Sequence, residues 1–250
     1  KVYTVCKNFR NEDVDKTHNP EFTMSEFYQA YTDLDGIISL TEQMVEYVAI
    51  KVNGTTKVNY EGKEIDLKAP WKRIKMLDAL GEKIGKAVKT MTLEELLEIA
   101  AREKVEINEE DKKWGLVVAE LFEHFCESEL IQPTWVIEYP KETTPLCKPS
   151  REDLNLLIER TEGYINGHEI CNGYSELNDP ILQRRFFEDQ KDQGRAKGEN
   201  VPMDEDFLNA IGYGMPPAGG MGLGIDRLIM FLTNSSSIRD VLFFPQLRKR

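Results

Sequence analysis

Three stretches of the 250-residue chain gather side chains able to handle charge at a reacting centre. The first runs Phe9-Arg10-Asn11-Glu12, then His18-Asn19-Pro20-Glu21-Phe22, with Glu26 and Tyr28 beyond it. An arginine at a strand end, a loop, and a strand carrying acids and aromatics suit a pocket for an anion and an amine. The second comprises Glu162, Glu169, Asn172, Tyr174 and Glu176, on strands whose alternate residues share a face. Glu162 and Glu169 lie seven apart, so an intervening turn must bring them together; two carboxylates so placed make a magnesium site for phosphates. The third is Gly219-Gly-Met-Gly-Leu-Gly-Ile-Asp-Arg227, leading into a helix. Glycines let a backbone approach a ligand, and a helix N-terminus favours phosphate. No Gly-Lys-Ser/Thr follows, which excludes a P-loop. Singly these signals are weak, since a lone Arg or Glu is usually a solvated charge and a glycine loop alone decides little.

The elements that must position these groups alternate along the chain. Val2 to Val5 is β-branched and aromatic, Asn11 to Pro20 is a polar loop, and Glu21 to Tyr31 puts Phe22, Met24, Glu26 and Tyr28 on one strand face. Leu34, Ile37, Ile38, Met44, Val45, Val48 and Ala49 form a helical stripe. Lys57 to Leu67 reads as a hairpin turning at Glu61-Gly62, and Thr92 to Glu95 as a capping box. Trp114, Val117, Val118, Leu121, Phe122 and Phe125 line another helix. Trp135 to Tyr139 is a short strand, and Thr161 to Leu177 is two strands joined near Asn166-Gly167. Asp179-Pro180 opens a polar helix to about Gln193, and Asp204 to Tyr213 is another, ended by Gly214. Met215 to Gly224 reads as a glycine-dense loop feeding a helix from Ile225 to Thr233. Strands mostly adjacent in sequence and punctuated by helices predict an α+β fold, an antiparallel β-sheet flanked by helices.

Composition narrows the function classes. Lysine and arginine total 32 against 44 aspartate and glutamate, a net charge of −12, which argues against a nucleic acid held on a broad basic surface here. The densest apolar run, Leu228 to Leu232, is far short of the ~20 residues of a membrane helix. Cys6, Cys126, Cys147 and Cys171 form no Cys-x-x-Cys pair, so neither a zinc site nor a disulfide framework is expected.

Taken together the three stretches are specific. Phe-Arg-Asn-Glu followed by His-Asn-Pro-Glu-Phe-Thr resembles motif 2 of class II aminoacyl-tRNA synthetases, and Gly-Leu-Gly-Ile-Asp-Arg-Leu resembles motif 3. Glu-Phe-Tyr at 26–28 and Glu-Ile-Cys-Asn-Gly-Tyr-Ser-Glu-Leu-Asn-Asp at 169–179 resemble the lysyl branch in particular. The likeness runs from about Tyr3 to Pro245. Aspartyl and asparaginyl enzymes share motif 3, but their amino-acid pocket carries an arginine for the substrate's side chain, whereas Asn172, Tyr174 and Glu176 here suit an ammonium.

The resemblance implies the class II catalytic fold and a set of roles. Arg10 bridges the lysine carboxylate and the ATP α-phosphate, and Arg227 clamps the γ-phosphate; these two are the catalytic pair. Glu12, His18, Asn19, Glu169, Ile170 and Gly224 contact ATP, and Phe22 stacks on adenine. Glu162 and Glu169 bind Mg2+. Glu26, Tyr28, Asn172, Tyr174 and Glu176 line the lysine pocket with Arg10, and Glu176 meets the ε-ammonium. His124 and His168 have no counterpart role.

The same likeness implies a lysine–tRNA ligase whose substrates are L-lysine, ATP and tRNA(Lys), in the cytoplasm and away from membranes. It implies that residues 1–250 form a single catalytic domain, that an anticodon-binding OB domain and motif 1 belong upstream, and that the full-length protein is a homodimer. Two alternatives are a ligase that lysylates a translation elongation factor and a non-catalytic, synthetase-derived interaction protein. The presence of Arg10, Glu162, Glu169 and Arg227 together argues against the latter.

Overall fold

β-Branched and aromatic residues in alternation draw the first segments into a hairpin. Strand β1 (Val2–Phe9) pairs with β2 (Glu21–Ala30) in an unbroken antiparallel register from Val2–Tyr28 to Phe9–Glu21. The computed structural model describes residues 1–11, 14–196 and 202–246, with 191–196 as backbone. Along β2, Ser25 and Phe27 are buried on the back of the sheet, and Phe22, Met24, Glu26 and Tyr28 face a cleft.

Helix α1 (Leu34–Asn53) starts where Asp33 accepts from the Gly36 N–H and ends at Gly54, whose φ of 73° suits glycine. Its stripe of Ile37, Ile38, Val45 and Ala49 is buried against the back of the sheet. Strands β3 (Lys57–Tyr60) and β4 (Lys63–Asp66) form the expected small hairpin, with Glu61 and Gly62 both at positive φ. Unforeseen in the sequence are β5 (Lys72–Lys75) and α2 (Met76–Ile84). With α3 (Leu93–Glu103), opened by the predicted capping box, and α4 (Trp114–Cys126), α2 encloses a second core around Leu80, Leu96, Val118, Leu121 and Phe122.

Strands β6 (Thr134–Pro140), β7 (Leu157–Ile165), β8 (His168–Ser175) and β9 (Ala218–Gly224) complete the main sheet, ordered β1-β2-β9-β8-β7-β6-β5. Every pairing is antiparallel except β5 with β6. The α+β expectation is met, with one parallel pair at the edge. Helices α5 (Pro180–Ala196) and α6 (Glu205–Gly212) connect β8 to β9, and α7 (Ile225–Thr233) follows β9 directly. All four cysteines are free, and among the described residues no helix is long and apolar enough to cross a membrane.

Candidate active site

Side chains on the open face of the sheet line up in rows across four strands. The register sets Glu26 beside Gly222, Gly222 beside Asn172, and Asn172 beside Glu162. The next row is Tyr28, Gly220, Tyr174 and Arg160, and on the other side Met24 faces Gly224. These rows floor a cleft of about 520 Å³. Arg10, His18, Asn19, Phe22, Glu26, Tyr28, Glu162, Glu169, Ile170, Asn172, Tyr174, Glu176, Gly224 and Arg227 all line it. Glu12 lies outside the described residues.

The glycine-rich stretch corrects one expectation: Ala218–Gly224 is strand β9 in the interior of the sheet, between β2 and β8, not a loop. Its glycines are needed for space. A Cβ on Gly220 would run into Glu176 Oε1 and come within 2.5 Å of the Tyr28 ring, and one on Gly219 would come within 2.5 Å of Ile37 on α1. The floor is therefore bare backbone between two walls of side chains, with α1 packed close behind it. Only at Gly224 does the strand pass into helix α7, whose second and third residues are Asp226 and Arg227.

Glu162 and Glu169 meet by two devices. The turn at Asn166 (φ 51°) and Gly167 (φ 74°) folds β8 back on β7. Alternation alone would then send Glu169 to the opposite face from Asn172 and Tyr174. A one-residue bulge at Ile170 changes the pairing from Gly163–Cys171 to Tyr164–Glu169 and turns Glu169 into the cleft. Such re-aiming is a common use of bulges beside active sites.

Glu162 is buried and held by four donors. Arg160 Nη2 and Asn172 Nδ2 (3.1 Å) reach Oε1; the Tyr139 (2.7 Å) and Tyr164 (2.6 Å) hydroxyls reach Oε2. Among the described residues no donor is bonded to the Glu169 carboxylate. Burial first, and then the Glu162 charge, raise its pKa well above the ordinary range. A buried carboxylate pair of which one member accepts no hydrogen bond is a donor set for a hard divalent cation. Two groups not anticipated also serve here. Arg160 pairs with Glu162 and lies 4.6 Å from the Tyr139 ring centre; its place two residues before Glu162, on the same strand face, is the signal that could have found it. Buried Asp226 accepts from the Thr23 N–H at 2.6 Å, tying α7 to β2.

The end of the cleft near α7 is cationic. The Arg10 guanidinium stands 5.1 Å from the Phe22 ring centre. His18 Nδ1 meets Asp15 Oδ2 at 2.9 Å and its Nε2 meets Arg227 Nη2 at 3.1 Å, while Arg227 Nη1 donates to the Glu169 carbonyl. With Nδ1 protonated toward Asp15, Nε2 accepts from Arg227. The Asn19 side chain is spent internally, donating to the Glu21 carbonyl (2.5 Å) and accepting from the Gln246 N–H (3.3 Å).

The other end is anionic and aromatic. Glu176, just past β8 and half-buried, has its carboxyl raised by burial to about 7. Burial, followed by the charges of Glu26 and Glu176, pushes the Tyr28 hydroxyl up to about 12. Tyr174 stands opposite on β8. His124 and His168 do not line the cleft.

The cleft thus has a cationic end, a carboxylate pair in the middle and an acid among tyrosines at the far end. The chain matches the model for class II tRNA synthetases (D, K and N) over residues 1–248. It is 53% identical to a lysine–tRNA ligase of Clostridium novyi, covering 99% of this chain and 49% of that protein. It is 51% identical to that of Clostridium acetobutylicum (99% and 49%) and 48% identical to lysine–tRNA ligase 2 of Methanosarcina mazei (100% and 49%). The chain spans about half the length of these curated relatives. On a match that takes in both Arg10, just past β1, and the Arg227 helix, the chain belongs to the class II tRNA synthetases of the D, K and N group.

Proposed function

We propose that the cleft activates L-lysine with ATP, giving lysyl-adenylate and pyrophosphate, and that the full-length protein passes the lysyl group to tRNA(Lys). The observation that carries this reading is Glu176: an acid beyond two tyrosines, at the end of the cleft opposite Arg227. Lysine presents a compact ammonium on an apolar stem, which calls for aromatic walls and an acid at the far end. Tyr28 and Tyr174 are the walls, Glu176 receives the ammonium, and Glu26 and Asn172 complete the pocket. The relatives' names agree.

In this reading the lysine carboxylate attacks the α-phosphate of ATP, and pyrophosphate leaves. Arg10 holds the carboxylate and the α-phosphate together and offsets charge as it develops; Arg227 holds the far phosphate; Phe22 stacks on adenine. His18, Asn19, Ile170 and Gly224 shape the nucleotide seat, and Glu12 belongs to it by the resemblance. Positioning and electrostatics carry the step, with no protein nucleophile. Among the described residues no group of three His, Cys, Asp or Glu side chains is gathered for a metal, and the two carboxylates Glu162 and Glu169 would hold magnesium together with phosphate oxygens, as that ion prefers. When bound, Mg2+ supplies positive charge to the phosphates.

The reading extends to residues 1–250 as one catalytic domain, a homodimeric full-length protein and a cytoplasmic setting, all supported by the resemblance. Aminoacylation tests it: the full-length protein is expected to esterify tRNA(Lys) with lysine in the presence of Mg·ATP. Lysine activation without tRNA charging would overturn the second half of the proposal.

A further inference from the structure

Behind Glu162 lies a third carboxylate, which does not line the cleft. Glu127 is the first residue of the short 3-10 turn after α4, and it is absent from the cleft lining. Its Oε1 is 2.8 Å from Tyr164 Oη, and the same oxygen of Tyr164 is 2.6 Å from Glu162 Oε2. The backbone reinforces this link. The Asn166 and Gly167 N–H groups at the tip of the β7–β8 hairpin donate to Ile131 and Leu130, both at 3.0 Å. Gly167 packs so closely there that a Cβ would lie 3.2 Å from Ser128 Cα. The hairpin carrying Glu162 on one arm and Glu169 on the other thus sits on the segment that bears Glu127.

A phenol has one proton, so Tyr164 cannot donate to both carboxylates. The shorter contact is with Glu162. Glu127 then faces the phenol's lone pairs, which is favourable when Glu127 carries a proton, the form its burial promotes.

We propose that Glu127 is a positioning residue of the cleft, which through Tyr164 fixes Glu162 Oε2 so that Glu162 and Glu169 can share one divalent cation. This rests on the reading of those two carboxylates as the magnesium pair. Removing the partner that orients a metal ligand typically weakens metal binding about 10- to 100-fold. The test uses full-length protein carrying Glu127→Ala, Glu127→Gln or Tyr164→Phe. Mn2+ binding is followed by electron paramagnetic resonance with ATP present and lysine absent, and ATP–pyrophosphate exchange is measured against Mg2+. Glu127→Ala and Tyr164→Phe should each raise the metal requirement about 10-fold and leave the lysine KM within about 2-fold. Glu127→Gln, whose amide can donate to Tyr164, should recover most of the loss, and the double variant should be no worse than Tyr164→Phe alone. Metal binding like the parent's in both Glu127→Ala and Tyr164→Phe overturns the proposal, and so does a Glu127→Gln variant as impaired as Glu127→Ala. Should the parent protein show no lysine-dependent exchange, the functional reading fails, while Mn2+ binding still decides the role of Glu127.

Discussion

Replacing Glu176 by Gln should cost the cleft its lysine, not its nucleotide. Burial raises this carboxyl to about 7, so near neutral pH it is a poorly hydrated acid in need of a cation. A substrate ammonium supplies that cation, and a hydrogen bond to a charged group in such a place is worth about 1.5–3 kcal/mol. Glutamine keeps an acceptor of the same shape without the charge. At 1.36 kcal/mol per decade the lysine KM should rise about 10- to 150-fold. The ATP KM should stay within about 2-fold, because Arg10, His18, Glu169 and Arg227 lie toward the other end. The raised pKa adds a second signature. Below about pH 7 the free protein holds a proton on Glu176 that the ammonium must displace, so the lysine KM should climb as pH falls, approaching tenfold per unit, and level off above. Glu176→Gln should flatten that dependence. The assay is lysine-dependent ATP–pyrophosphate exchange by the full-length protein from pH 5.5 to about 8.5. An unchanged lysine KM, or an equal rise for ATP, would mean that Glu176 only supports the scaffold.

Glu169→Gln removes the carboxylate proposed to face the phosphates and should slow exchange about 100- to 1000-fold, whereas activity within a few-fold of the parent would refute its assignment. Gly220→Ala should raise the lysine KM about 10-fold or more, since its Cβ has no room beside Glu176 and Tyr28; Gly222→Ala, whose Cβ would have the flexible Met24 side chain as its nearest neighbour at 3.3 Å, should be much milder. Glu42 on α1 is buried and accepts from the Trp71 N–H (3.0 Å) and Trp135 Nε1 (2.8 Å). Glu42→Ala should therefore destabilise by about 1–3 kcal/mol for each orphaned donor, read from urea unfolding monitored by tryptophan fluorescence.

Much of this arrangement could be read in the residues because local rules agreed with the final fold. Phe22, Met24, Glu26 and Tyr28 alternate with buried Ser25 and Phe27, so β2 announces both its faces. Asn166-Gly167 and Glu61-Gly62 occupy the positive-φ pairs of their turns, and Thr92 with Glu95 makes a true reciprocal cap. Strand β9 could not be read this way. It has no β-branched residue, and its glycines are explained only by what β2, β8 and α1 place around them. Strand β5 is four residues of mostly basic character whose register comes from β6, and α2 follows with Lys75 at its N-cap and no side-chain capping bond. Chemical type singles out Glu169, but its direction depends on the bulge at Ile170, which strand parity does not reveal. Arg160 is within reach of the spacing rule, two residues before Glu162 on one strand face, whereas Glu127 meets Glu162 only through Tyr164, a relation visible once β7 and the end of α4 are side by side.

Which amino acid the cleft accepts can be measured directly. ATP–pyrophosphate exchange by the full-length protein, run separately with lysine, aspartate and asparagine, compares the three substrates named by the family's own subdivision. With Glu176 behind Tyr28 and Tyr174, exchange should be stimulated by lysine alone. Stimulation by aspartate or asparagine, or none by lysine, would mean that Glu176 does not receive a lysine ammonium.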